Sequence, residues 1–247
     1  MTNSLFKPIM ALVLIVPLLV TTACSQVKPP SPPAPPTQPQ LWGIACPALL
    51  DEANGSNHDQ LPTREMTPAN ISKQKELLDK WWGVRSRDDL LHTLKWIEYG
   101  GHRRSFNDVC KAVEANDPKQ LAKVQASLRK NDAQFAVMCK ICSTNHKQLG
   151  SKSLMGWDYC RYIDLCRWGF EAGYITEAEA WGYIMPAAKL LQTTFDSWQD
   201  LGHNYIIGRQ FWKISLAKDE QMAESFQTLT TELDSPWNKL PWTLSLP

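Results

Sequence analysis

An all-α fold is predicted by three observations. From Leu41 onward, apolar residues recur at helical spacing. Helix-starting and helix-stopping residues bracket those runs. No run alternates convincingly at period two. Together they predict a single compact domain of about eight helices. The chain is 247 residues long with a formal charge of +1, and its charges are mixed along it. A nucleic-acid binder usually shows a basic excess or stripe, so that class is excluded.

The N-terminus reads as an address. Lys7 precedes an apolar run, Pro8 to Val20, too short to span a bilayer comfortably but suited to a signal peptide. The next residues, "TTAC" (Thr21 to Cys24), resemble a bacterial lipoprotein lipobox, with Thr21 where Leu is usual. The expectation is cleavage before Cys24 and lipidation of its thiol, a stable anchor once the N-terminus is also acylated. Plain secretion with cleavage after Ala23 is the alternative. Ser25 in place of Asp implies sorting to the outer membrane, with the domain on the periplasmic face. "KPPSPPAPPTQPQ" (Lys28 to Gln40) predicts an extended tether at about 3 Å per residue. The expected layout is residues 1–23 signal peptide, 24–40 lipidated cysteine and linker, and 41–247 helical domain.

Within the domain, Thr67 and Pro68 open one helix and Gly83 closes it. Ser86 caps the next, whose Leu90, Leu91, Leu94 and Ile97 form one stripe ending at Gly100. Asp117 and Pro118 open another. Thr176 and Glu179 form a capping box, and Pro186 is expected to kink or divide the helix that follows. Two segments, "WDYCRYIDLCRWGFEAGY" and "SWQDLGHNYIIGRQFW", are apolar nearly all round, the mark of central helices. In the second, a turn of about 100° per residue puts Arg209 inside the aromatic stripe, between Trp198 and Gly202 and near Tyr205 and Trp212. A guanidinium there needs a carboxylate or carbonyl partner. Asp158 and Asp164 are the natural candidates, with Arg161 joining them.

Beyond Cys24 the chain has six cysteines: Cys46, Cys110, Cys139, Cys142, Cys160 and Cys166. An even number permits disulfides in an oxidising compartment, with pairing not legible from sequence. "CKIC" (Cys139 to Cys142) lies inside or late in a helix with no strand before it, which disfavours a redox motif. His146 is near, but no second CxxC or HxxxH completes a zinc set. No metal and no cofactor is expected.

Three separated motifs carry a family resemblance. "WWGVRSRDDLLHTLKWIEYGGHRRSF", "WDYCRYIDLCRWGFEAGYITEAEAW" and "SWQDLGHNYIIGRQFW" together resemble the bacterial YbeU/YbeR-like family, domain of unknown function 1266. The resemblance runs from Leu41 to about Trp212. It implies no activity and transfers no catalytic residue. What it transfers are motif positions: the aromatics Trp82, Trp157, Trp181, Trp198, Tyr205 and Trp212, with Gly83, Arg87, Gly101, His102 and Phe106 in the first motif, Asp158, Arg161 and Gly173 in the second, and Ser197, Gly208 and Arg209 in the third. Many members of that family look intracellular, so the leader is a departure.

Catalytic signatures are missing: no GxSxG, no HExxH and no Gly-rich phosphate loop occurs. His203 stands six residues beyond Ser197, on a different helix face. Glu179 is explained by capping and Glu177 by exposure. "GGHRRSF" reads as a glycine-capped stop whose basic residues complement a helix C-terminus. His102, Asp158, Arg161, Asp164 and Arg209 are expected to form a buried polar network. The leading expectation is a lipid-anchored, non-catalytic domain that binds an unidentified protein partner, immunity-like or adaptor-like. The alternative is an enzyme or small-molecule binder whose pocket uses His102, Asp158, Arg161 and Arg209.

Overall fold

Capping chemistry sets most helix boundaries. The computed structural model of the chain describes residues 35–247; the signal peptide, Cys24 and most of the proline-rich segment lie outside these residues. In chain order the helices are α1 (Gln38–Ala45), α2 (Ala48–Asn54), α3 (Pro68–Trp82), α4 (Arg87–Tyr99), α5 (Gly101–Ala115) and α6 (Pro118–Leu128). They continue as α7 (Asp132–Leu149), α8 (Met155–Glu171), α9 (Glu177–Thr194), α10 (Trp198–Trp212), α11 (Leu216–Thr231) and α12 (Pro236–Lys239). No strand occurs among the described residues. Thr67, Ser86, Asp117 and Thr176 each accept from a backbone N–H two or three residues on, as their sequence contexts predict. Asn131 and Ser197 cap α7 and α10 in the same way.

The structure departs from the sequence reading at three points. The short helices α1, α2 and α12 raise the count above the expected eight, because they are too brief to show a period. Helix α1 begins inside the segment read as tether, since Gln40 reaches back to the Thr37 N–H at 2.8 Å and Pro39 fits a first turn. Of the kink or division expected at Pro186, division does not occur, and α9 runs through it from Glu177 to Thr194. The carbonyl that loses its donor belongs to Gly182, an exposed residue, so it is open to solvent rather than buried without a partner.

Helix α8 is the axis of the fold and packs against α1, α3, α4, α5, α9 and α10. Both helices singled out as apolar all round therefore sit at the centre. Their close approach depends on Gly208, where any Cβ would overlap the Cβ of Trp157. A second aromatic cluster closes the far end: Trp198 lies 4.6 Å from Trp42 and stacks on Trp237 at 6.0 Å. The indole N–H groups of Trp198 and Trp237 donate to Leu240 and Ala45 carbonyls, tying the C-terminal segment to α1 and α10.

Arg167 on α8 is fully buried and holds the loop between α2 and α3. It pairs with Asp51, sits 3.3 Å from Asp164 and donates to the carbonyls of Asn57, Gln60 and Leu61. Glu171, one turn on, accepts from the Thr63 N–H. Burial pushes the Asp164 carboxyl well above its usual range, and the Asp51 carboxylate adds to the push.

Of the six cysteines in the described residues, Cys110 of α5 and Cys142 of α7 form a disulfide, their Cα atoms 5.0 Å apart. The remaining four are unpaired. Only the second cysteine of "CKIC" is used, and its partner lies on another helix. The bond closes a loop with a sequence separation of 32, so its loss should cost about 3–4 kcal/mol by chain entropy. Urea denaturation with and without reductant should show this difference, and the Cys110→Ser, Cys142→Ser double variant should match the reduced protein.

Candidate functional site

The five polar residues predicted to form one network separate into three arrangements. Asp158 is almost fully buried and serves the first turn of α5: its two oxygens accept from the N–H groups of His102 and Arg103 at 3.0 and 3.1 Å. A carboxylate at a helix N-terminus satisfies orphan donors and complements the dipole. Gly101 makes room for it, because a Cβ there would overlap the Asp158 carboxylate. Arg103 completes the joint, pairing with Asp158 at 3.0 Å and donating to the last carbonyls of α4, Ile97 and Glu98. The "GGHRRSF" stretch is thus a helix stop with a basic complement, and also the start of α5, which the sequence reading did not separate.

Asp164 belongs to the Arg167 cluster and does not meet Arg209. Nor does Asp158: Arg209 donates to the Lys213 carbonyl at 2.6 Å, at the end of its own helix. The partner is a carbonyl because Arg209 lies in the last turn of α10, where unpaired carbonyls collect. The single network linking α8 and α10 through carboxylates is therefore corrected.

Arg161 is the residue without a matching charge. It is 7% exposed, and no carboxylate among the described residues lies within ion-pair distance. Its guanidinium is clamped between two indoles, 4.3 Å from the Trp82 ring centre and 4.1 Å from that of Trp157. Burial lowers its pKa to about 10 despite favourable fields from Tyr205, Asp158 and Asp164. It contacts His102, whose Nδ1 is 3.2 Å from its Nη1. Arginine only donates, so Nδ1 accepts and the imidazole proton sits on Nε2. The alternative partner, Asp158 Oδ1, is farther at 3.5 Å and already accepts the His102 N–H.

Desolvation is the main cause of a lowered His102 pKa, with the Arg161 charge adding to it and the Asp158 hydrogen bond opposing it. A folded-state value below the usual 6.5 means that the neutral ring favours folding above pH 6.5. That contribution declines as pH falls from there through the folded value. An NMR titration should place the His102 midpoint below 6.5, and Arg161→Met should raise it.

Arg161 faces a cavity of about 550 Å³ bounded by α2, α3, α8, α10 and α11. Trp81, Trp82, Trp157, Trp168, Tyr205 and Trp212 supply its aromatic walls. Its charged lining is all positive: Arg64, Lys73, Arg161, Arg209, Lys213 and Lys218, with no carboxylate. The Trp157 indole N–H is buried without a partner at this wall. A second cavity of about 410 Å³ adjoins it and shares Trp81, Trp82, Arg161 and Trp212. Such a space suits a ligand with a negative group and a broad apolar body.

Of the motif aromatics, Trp82, Trp157, Tyr205 and Trp212 line the large cavity, whereas Trp198 packs in the far cluster and half-buried Trp181 hydrogen-bonds Glu177. Ser197 is occupied as the cap of α10, and His203 stacks on Phe226. Glu179 caps α9 and pairs with Arg87 at 2.6 Å. The sequence reading missed the four outer cations, Arg64, Lys73, Lys213 and Lys218. They come from separate elements, and no local pattern marks them.

These features define an all-α domain built around a tryptophan-walled, cationic cavity. The family described as "Protein of unknown function (DUF1266)" matches residues 77–242, and the chain belongs to that family. The match starts later than Leu41 and ends later than Trp212, the bounds of the resemblance, and contains all three quoted motifs. Three proteins of Escherichia coli (strain K12) are similar to this chain. "Uncharacterized protein YbeU" is 23% identical over 155 residues, 62% of this chain and 63% of that protein. "Inner membrane protein YnjI" is 25% identical over 146 residues, 58% and 40% respectively. "Uncharacterized protein YbeR" is 24% identical over 137 residues, 55% and 57%. The chain thus spans between two fifths and just under two thirds of the lengths of these relatives. No solved structure matches.

Proposed function

We propose that this protein is a non-catalytic binding domain for an amphipathic organic anion, held at the cell envelope by lipid on Cys24. One observation carries the ligand reading. Arg161 is more than nine-tenths buried, lacks a carboxylate partner, and faces a cavity whose charged lining is entirely positive. A buried unpaired charge is strongly unfavourable, so a cavity that maintains one is suited to a ligand that neutralises it. The indole walls give the ligand's apolar body an aromatic surface.

The anchor reading rests on the "TTAC" lipobox, and the Cys110–Cys142 disulfide supports an oxidising compartment. Among the described residues no helix is long and apolar enough to cross a membrane. The similarity to "Inner membrane protein YnjI" favours a membrane setting, and Ser25 favours the outer membrane for this chain. Fatty-acid probe labelling that persists in Cys24→Ala would sink the lipid anchor.

Calorimetric titration with dodecyl phosphate, dodecyl trimethylammonium and dodecyl maltoside, below their micellar concentrations, tests the ligand reading. The anion should bind at a single site, and the cation and neutral compound should not. Equal binding of all three would overturn it. A second reading, a protein-interaction adaptor, is favoured by the exposed aromatics Trp81, Trp96 and Tyr99 on α3 and α4. Crosslinking in intact envelopes should then recover a partner that Trp96→Ala and Tyr99→Ala lose.

A further inference from the structure

The position of Arg161 says more than that the ligand is an anion. The guanidinium is not at the blind end of one cavity: Arg161 lines both the larger and the smaller one, with Trp81, Trp82 and Trp212 at the same junction. A ligand with a terminal acid would fill the larger cavity and leave the smaller one unused. A ligand with an internal anionic group would place that group at Arg161 and extend in both directions.

The chemistry of the two sides differs. The larger cavity offers Leu50, Leu77, Leu78 and Met222 beside its indoles, a surface for an apolar tail. The smaller one is lined by His92, Thr93, Trp96 and His102 in addition to the shared residues. Trp96 is 45% exposed at this side, with its ring edge-on to His102 at 5.0 Å. Because Arg161 donates to His102 Nδ1, the proton on Nε2 leaves this cavity-lining ring with an N–H donor. Thr93 donates its hydroxyl proton to the Asp89 carbonyl. An indole face with a nearby N–H donor fits an uncharged, oxygen-bearing group such as a polyol. A cationic head is disfavoured, because the Arg161 charge lines both cavities and no carboxylate offsets it.

Resting on the anion-binding reading above, we infer that the ligand is an anionic diester. Its apolar tail occupies the larger cavity, its phosphodiester-type group meets Arg161, and its uncharged polyol head lies against Trp96 and His102. A monoacyl or monoalkyl glycerophosphodiester is the simplest compound of this class. Binding is non-covalent, and no bond is made or broken.

Two probes with the same tail separate this inference from the broader reading: dodecyl phosphate, a monoester, and dodecyl phosphoglycerol, a diester. The monoester carries about −1.5 to −2 charges at neutral pH and the diester one, so charge alone favours the monoester. The expected result is the reverse, with the diester binding about tenfold more tightly, worth about 1.4 kcal/mol. Trp96→Ala should weaken the diester about tenfold and so erase that preference; its exposed position makes misfolding an unsuitable explanation, and an unchanged melting temperature checks it. Dodecyl phosphocholine, with a cationic head, should lose the preference in the wild type. Monoester binding that depends on Arg161, without a diester preference, would overturn the two-sided ligand and leave the anion site standing. An unchanged preference in Trp96→Ala would overturn the assignment of the head to the smaller cavity. Absence of binding by either anion would overturn both readings.

Discussion

Arg167→Met should be among the most destabilising single changes in this protein, at about 3–5 kcal/mol. The guanidinium serves two purposes. It is the counter-charge for Asp51 and Asp164, both buried, and it supplies donors to three carbonyls of the loop between α2 and α3. Methionine replaces the volume but neither function. The melting temperature should fall by roughly 6–20 °C, taking about 2–4 °C per kcal/mol for a domain of this size. The loss should depend on pH. Burial already raises both carboxyl groups with Arg167 present, and without its opposing charge they should titrate higher still in the folded chain. Stability then declines as pH rises above the unfolded carboxylate range and recovers as pH falls toward it. Converting Asp51 and Asp164 to Asn beside Arg167→Met should restore part of the loss. If the single variant melts like wild type across pH 5–8, the loop is held by other means.

Much of the fold is legible in the chain because its signals are local. Thr67, Ser86, Asp117 and Thr176 act within three residues of themselves, so sequence spacing contains the whole interaction. The central positions of α8 and α10 follow from their apolar residues lying on every face. The failures share a cause. Helical geometry places Arg209 inside the stripe but does not choose between a carboxylate on α8 and a carbonyl one turn ahead; Lys213 supplies the carbonyl. Asp158 looks like a partner for Arg209 in sequence, yet its oxygens are used by Arg103 and by the first turn of a helix 55 residues upstream. Arg167 gives no signal of its own, since its partners at Asp51 and Leu61 are more than a hundred residues away. The cavity's cations are likewise gathered by tertiary packing alone.

Arg161→Met should separate binding from stability. A structural arginine and a ligand-binding arginine have opposite signatures when removed. Arg167 belongs to the first kind, because its loss strands carboxylates. Arg161 has no carboxylate to strand, and its removal takes an unpaired cation out of a low-dielectric site, replaced by an apolar chain of similar length. Replacing buried charge in this way is often neutral or stabilising, offset here by the cation–π contacts to Trp82 and Trp157, about 0.5–2 kcal/mol in total. The net change should stay within about 1 kcal/mol of wild type. Affinity for dodecyl phosphate should fall far more, by about 2–5 kcal/mol, which is roughly 30-fold to several thousand-fold. Arg161→Lys should lie between, since it keeps the charge but loses the planar stack and the fork of donors. A large fall in melting temperature with unchanged anion affinity would return Arg161 to a packing role, with the indoles and His102 as its partners.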